Sequence, residues 1–90
     1  MNLHDATLVS ISVDWAVGSA SILLQPVMRD GAPDSVTIEA TGVRYVEIPR
    51  RYPWGESVSV NKVECEGGRL IIQVQSGDSI VVGADEIALP

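Results

Sequence analysis

Residues 47–60 read Glu-Ile-Pro-Arg-Arg-Tyr-Pro-Trp-Gly-Glu-Ser-Val-Ser-Val, and this stretch divides the chain into its structural parts. Pro49 and Pro53 each fix φ and lack an amide donor, so neither can lie inside a central strand. A strand must therefore end near Ile48. Gly55 can adopt the left-handed conformation that turns the backbone after Trp54. On both sides of this loop the sequence is typical of short β-strands.

The same loop contains the main candidate binding residues, which are Arg50, Arg51, Tyr52 and Trp54. Arginine, tyrosine and tryptophan contribute most of the binding energy at protein interfaces, so the loop is a candidate recognition site. The alternative is structural, because tryptophan is usually well buried and Trp54 would then plug the open end of a small barrel or sandwich. His4 is a further candidate, either as a contact on the same surface or as a packing residue at the start of a strand.

Size, composition and charge predict a single β-rich domain over residues 1–90. Hydrophobic residues make up 46% of the chain and charged residues 20%, with many Val and Ile and no Phe. The net charge of −6 and the pI near 4.4 argue against nucleic acid or an anionic membrane as partner, because both require a cationic surface. Neither nucleic acid nor a membrane is therefore expected as a partner, and the acidic surface mainly keeps the protein in solution.

Cysteine usage and the start of the chain predict a cytoplasmic protein. The one cysteine, Cys65, cannot form an internal disulfide, whereas small domains of oxidising compartments usually contain several. The first residues have no cationic start and no long apolar run, so they do not resemble a secretory signal. No uncharged apolar run is long enough to span a bilayer as a helix.

Alternating apolar residues predict the strands. In the first hairpin Val9, Ile11, Val13 and Trp15 would face inward and pair with the second strand, so that Trp15 lies opposite Ala20 and Val13 opposite Ile22. A four-residue loop, 16–19, with Gly18 in the left-handed region would join the two strands. Further inward positions are Val36, Ile38, Ala40, Val46, Leu70, Ile72, Val74, Ile80 and Val82.

Glycines and phase changes predict the irregularities of these strands. Gly42 interrupts one long strand that we expect to be bent or bulged there. The inward phase changes near Asn61 and Lys62, which indicates a second bulge or a short turn. Gly67-Gly68 predicts a type I′ hairpin that pairs Glu66 with Arg69 and Cys65 with Leu70. A three- or five-residue loop then joins Val74 to Ile80, and residues 84–89 form a last short strand or a tail.

The sequence predicts no metal site and no cofactor. His4-Asp5 resembles the pair used by metal phosphohydrolases, but the chain has no second histidine. One cysteine and one histidine fall short of a zinc site, and Asp30 and Asp34 lack the spacing of a calcium loop. Ser76, His4 and Asp78 could be combined into a hydrolase triad, yet no nucleophile elbow accompanies them. Cys65 is expected to be a buried, inert thiol.

Three short segments carry a resemblance to small bacterial β-rich proteins: Leu3-His4-Asp5-Ala6, Pro53-Trp54-Gly55 with Ser57, and Gln75-Ser76-Gly77-Asp78. The layout is similar to that of immunity-type proteins of bacterial toxin systems. The resemblance implies an acidic cytoplasmic β-protein that binds another protein, and the charge of −6 would suit a basic toxin domain. It assigns no site residues.

The predicted fold is a compact antiparallel β-sandwich or partly open barrel of about six or seven strands, with little helix. The function expected is a protein-binding module, for example an immunity-type inhibitor. The alternatives are a small-ligand or carbohydrate-binding module that uses Tyr52 and Trp54, and a hydrolase that uses His4 and Asp78. Outward-facing Ile71, Val81 and Tyr45 also predict a homodimer.

Overall fold

The fold is all-β, and its strands form one antiparallel sheet. It is described by a computed structural model that covers residues 3–27, 31, 34–50 and 58–89. None of these residues lies in a helix. The strands are β1 (Thr7–Asp14), β2 (Ser19–Gln25), β3 (Val36–Glu47), β4 (Val60–Glu66), β5 (Arg69–Val74) and β6 (Ser79–Ala88).

The strand order in the sheet is β1-β2-β3-β6-β5-β4, and every neighbouring pair is antiparallel. β1 and β4 are therefore at the two ends of the sheet, and they meet. Thr7 bridges Ser59, the Leu8 amide donates to the Val58 carbonyl at 2.6 Å, and the Val60 amide donates to the Ala6 carbonyl at 2.8 Å. We call this contact between residues 5–8 and 58–60 the seam. The sheet is thus joined along this seam into a barrel, and a partly open barrel is one of the two forms, sandwich or barrel, between which the sequence left the choice open.

From β2 onward, inward positions that strand alternation predicted fill much of the core. Ile22, Leu24, Ile38, Leu70 and Ile72 are fully buried, and they come from three strands, β2, β3 and β5. Leu3 and Ala6, which precede β1, join the same cluster. Leu3 and Ala6 are therefore part of the core although they precede the first strand.

The glycine positions confirm the predicted bends and turns. β3 is one strand through Gly42, whose φ is +66°, and its register with β6 shifts between Val43 and Tyr45. Gly67 and Gly68 have φ of +60° and +74° and close the β4–β5 hairpin with the predicted pairing. The register of β4 shifts between Val60 and Lys62, where the phase change predicted a bulge. The Val74 amide donates to the Asp78 carbonyl at 3.0 Å, which leaves a three-residue loop before β6.

The first hairpin differs from its prediction by two residues. Val13, not Trp15, lies opposite Ala20, and Ile11 lies opposite Ile22. β1 ends at Asp14, so the four loop residues are 15–18 rather than 16–19, although Gly18 is left-handed as expected, with φ of +76°. A bulge between Leu8 and Ser10 also turns Leu8 and Ile11 toward the core and leaves Val9 exposed. The prediction that Trp15 faces the core was wrong.

Two other expectations about burial were wrong. Cys65 is exposed because β4 is a terminal strand whose pairing with the β1 side stops near Val60. Val81 is only 8% exposed. Its strand, β6, lies between β3 and β5, so Val81 is flanked by Glu47 on one side and Ile71 on the other. The apolar outer surface that suggested a homodimer is therefore smaller than expected, and the homodimer stays a prediction.

A glycine substitution tests the bend in β3. A Cβ on Gly42 would lie 2.8 Å from both Cβ and Cγ of Asp85, whereas a Cβ on Gly67 would meet nothing within 4 Å. Both residues have similar positive φ, so Gly67→Ala reports the backbone strain alone, about 1–2 kcal/mol. We expect Gly42→Ala to lower the free energy of unfolding by a further 1–3 kcal/mol or so, measured by urea denaturation. Equal losses for the two variants would show that Asp85 does not pack over Gly42.

Candidate functional site

The predicted binding residues are only partly covered by the structure. Arg51, Tyr52 and Trp54 lie outside the described residues, so the choice between recognition loop and core plug stays a prediction. Arg50 is exposed and lies on the rim of an apolar groove beside β1. His4 lies at the seam, with Nδ1 2.8 Å from the carbonyl oxygen of Asn61. Arg50 and His4 therefore belong to different local sites.

Among the residues that the structure describes, the most exposed large apolar side chains lie in the turn between β1 and β2. Trp15 is 70% exposed and Val17 is 74% exposed. We call residues 15–18 the hairpin tip. Large apolar side chains with this exposure lose the free energy that burial would provide, and several of them together mark interaction surfaces in soluble proteins. Because tryptophan is the residue type most enriched in binding hot spots, the hairpin tip is the leading candidate contact among the described residues.

Hydrogen bonds hold the hairpin tip in one conformation. The Gly18 amide donates to the Asp14 carbonyl at 2.9 Å, and the Val17 amide donates to Asp14 Oδ1 at 3.2 Å. Gly18 has the positive φ that this turn needs. Its own carbonyl accepts the Val43 amide at 2.9 Å, which ties the turn to the bend in β3. A turn that is fixed before binding avoids part of the entropy cost of association.

Acidic residues line the sheet next to the hairpin tip. Asp14, Ser19, Thr41 and Glu86 form one row across β1, β2, β3 and β6, and the next row on the same face, two residues along each strand, contains Glu39 beside Ser21. Residues directly opposite in an antiparallel pair share a face, and the Ser21 hydroxyl donates to Glu39 Oε2 at 2.7 Å. Asp14, Glu39 and Glu86 are all exposed, and we call them the acidic face.

The ion pairs of the described residues leave the acidic face uncompensated. Arg44 pairs with Asp85, and Lys62 pairs with Glu64 at 2.5 Å. Neither cation bonds a carboxylate of the acidic face within the described part of the chain. Since exposed pairs of this kind contribute little to stability, their main effect is to neutralise charge locally. The negative potential of the protein is therefore directed partly toward the surface beside Trp15.

A second group of polar residues gathers at the seam. Asp5 Oδ1 accepts a hydrogen bond from Gln75 Nε2 at 2.6 Å, and the Asp5 amide donates to the Val60 carbonyl at 2.8 Å. The Gln75 amide donates to the Ser59 carbonyl at 2.7 Å. His4 Nε2 lies 3.6 Å from Asp5 Oδ2. Two of the three segments that resemble small bacterial proteins, 3–6 and 75–78, thus meet beside the seam, where the Asp5 and Gln75 side chains bond each other.

The hydrolase alternative depends on Ser76, His4 and Asp78. Ser76 is 2% exposed and Asp78 is 3% exposed, whereas the His4 side chain is 54% exposed. Within the described residues Ser76 Oγ has no hydrogen-bond partner, so a bond from this hydroxyl to His4 is not formed. No group of three or more His, Cys, Asp or Glu side chains that could hold a metal ion occurs in the described part of the chain.

Sequence reasoning missed Trp15 as a surface residue because the strand alternation continued through it. The signal that could have placed it was Asp14, since an Asp that begins a turn hydrogen-bonds the backbone amides that follow. A four-residue loop that starts after Asp14 also ends on Gly18, the residue that can take the left-handed conformation. The apolar side chain of Trp15 fitted the strand alternation, so the prediction followed the alternation rather than the turn signal.

Comparisons with known proteins add no family to this description. No protein-family model matches the sequence, and no match is found among curated proteins or solved structures. In the described residues there is also no helix of the length and hydrophobicity needed to cross a membrane.

Substitutions of Asp5 test the construction of the seam. Asp5 has φ of +65°, a conformation that Asp and Asn tolerate better than Ala. We expect Asp5→Ala to lower the free energy of unfolding by about 1–2 kcal/mol, through backbone strain and the lost bond to Gln75. Asp5→Gly removes only the side-chain bond and serves as the matched control, while Asp5→Asn should change stability least. Denaturant unfolding in which Ala and Gly at this position are equally stable would contradict the strained seam.

Proposed function

We propose that this protein is a protein-binding module that contacts a basic partner protein through the hairpin tip and the acidic face. The observation that carries the proposal is the exposure of Trp15 on a turn held by hydrogen bonds to Asp14 and β3. A tryptophan that is presented in this way can enter a pocket on a partner without a preceding rearrangement of the turn.

Charge complementarity supports a basic partner. The chain carries 12 acidic and 6 basic residues. Asp14, Glu39 and Glu86 lie on one face of neighbouring strands beside the tip. Complementary potentials raise association rates, and they act on the approach of the partner more than on the final affinity. The hairpin tip would then contribute most of the binding free energy. The acidic face would raise the association rate and the selectivity for a basic partner.

The resemblance to immunity-type proteins suggests a specific version of this function. An immunity-type protein inhibits a toxin of the same bacterium by binding it, and a basic toxin domain fits the acidic face. The proposal includes a cytoplasmic setting, which the single cysteine supports because Cys65 has no second cysteine for an internal disulfide. A homodimer is compatible with this function and remains a separate prediction.

A binding experiment with tip variants tests the proposal. The probe is a basic partner protein isolated by pull-down with this protein, and binding is measured by titration calorimetry. We expect Trp15→Ala to weaken binding by about 2 kcal/mol or more, the usual cost of truncating a hot-spot tryptophan. The same variant should change the free energy of unfolding by less than about 0.5 kcal/mol, because the side chain is already exposed.

Matched controls separate the tip from the rest of the surface. Val17→Ala at the tip is compared with Val27→Ala, an exposed valine that follows the far end of β2. The double change Glu39→Gln, Glu86→Gln should slow association at low salt, whereas Glu66→Gln at the β4–β5 turn should not. If Trp15→Ala binds as tightly as the parent protein while the double Arg50→Ala, Arg51→Ala protein loses binding, the contact surface is the central loop and not the tip.

A further inference from the structure

The seam leaves an apolar groove at the side of the barrel. The groove lies beside Leu8, the last residue of the β1 side that is bonded to the segment before β4 within the described residues. Leu8 and Ile11 of β1 form one wall of this groove, and Val74 and Ile80 form its floor near the core. We call it the seam groove. Its volume is about 220 Å³.

The rim of the seam groove is also apolar. Val9, Ile48 and Val58 line it, and each is at least 38% exposed. Three of the exposed large apolar side chains therefore surround one opening, rather than being scattered singly over the surface. Single exposed apolar residues are normal, whereas a cluster around a concavity is typical of a ligand site.

Among the described residues that line the seam groove, the one charged side chain is the cation Arg50. In the same described lining Ser10 carries the one hydroxyl, and the other residues are apolar. A guanidinium has five N–H donors in a planar fork, so it can bind a carboxylate in a bidentate manner and still keep another contact. Apolar walls with one arginine at the mouth select a ligand with an apolar body and one anionic end.

We propose that the seam groove binds a small aliphatic monocarboxylate, with its chain between β1 and the core and its carboxylate on Arg50. An apolar cavity of about 150 Å³ is sufficient for benzene, so the groove has room for a chain of roughly six to eight carbons. This function is independent of the hairpin tip, because no residue of the tip lines the groove.

The ligand series octanoate, 1-octanol and acetate tests the proposal on the whole protein. Octanoate has both the chain and the charge, 1-octanol has the chain alone, and acetate has the charge alone. We expect octanoate to bind with a dissociation constant on the order of 0.1–1 mM, as followed by shifts of backbone amide resonances in NMR. The shifts should be largest for β1 and for residues 48–50 and 58. Acetate should produce no saturable shift at the same concentrations.

Variants of the protein then test which residues contact the carboxylate and which contact the alkyl chain of the ligand. Arg50→Gln should weaken octanoate binding about tenfold or more and leave 1-octanol binding unchanged, because only the carboxylate uses the guanidinium. Arg69→Gln, an exposed arginine at the β4–β5 turn, is the matched control and should bind octanoate as the parent does. Val58→Trp should fill the mouth and abolish binding of both octyl compounds, with folding checked by its thermal unfolding.

Three kinds of outcome would overturn the proposal that the seam groove binds a monocarboxylate. If octanoate and 1-octanol bind equally to the parent and to Arg50→Gln, the groove has no carboxylate selectivity. If the shifts lie outside the groove, or neither octyl compound binds, the groove is not a small-ligand site. If only a partner protein changes the groove resonances, it is part of a protein interface. Trp15→Ala should leave octanoate binding unchanged, because the hairpin tip does not line the groove. Failure of the octanoate experiment would therefore not affect the proposed contact at the hairpin tip.

Discussion

The structure depends on a few backbone hydrogen bonds that join the two ends of its sheet. The Asp5 amide bonds the Val60 carbonyl, the Val60 amide bonds the Ala6 carbonyl, and the Leu8 amide bonds the Val58 carbonyl. An open sheet of six strands would expose the amides of both outer strands and one side of its core. Closing the sheet at one place buries Leu3 together with Ala6 and Val60. The stability of this small domain therefore rests on a contact between segments more than fifty residues apart in sequence.

Two surfaces available for binding lie at opposite parts of β1. Among the described residues the last bond of the seam is at Leu8, and the apolar groove beside Arg50 lies next to it. At the other end of the same strand, Asp14 fixes a turn that exposes Trp15. One strand thus contributes to both proposed binding surfaces. The two surfaces differ in chemistry, since the groove is concave with a cation at its rim and the tip is convex beside carboxylates.

The sequence was sufficient to predict the elements whose positions depend on the backbone conformation of a few neighbouring residues. Gly67-Gly68 set the register of its hairpin because two positive φ values define the turn, and Gly42 marked the irregularity of β3 because glycine readily adopts the positive φ found there. Trp15 and Cys65 were misplaced because alternation reports the phase of a strand but not where the strand ends or whether a neighbour covers it. The seam could not be predicted, since residues 5–8 and 58–60 are far apart in sequence and no turn between them fixes their register.

Amide hydrogen exchange measured by NMR tests the closure of the barrel most directly. If the seam exists in solution, the amides of Asp5, Leu8 and Val60 exchange at least about 100-fold more slowly than in an unfolded chain, because each is bonded across it. The amides of Ile22 and Ile38 in the middle of the sheet provide the internal reference for full protection. Exchange of the three seam amides within about tenfold of the unfolded rate, with the reference amides still protected, would show an open sheet and contradict the account.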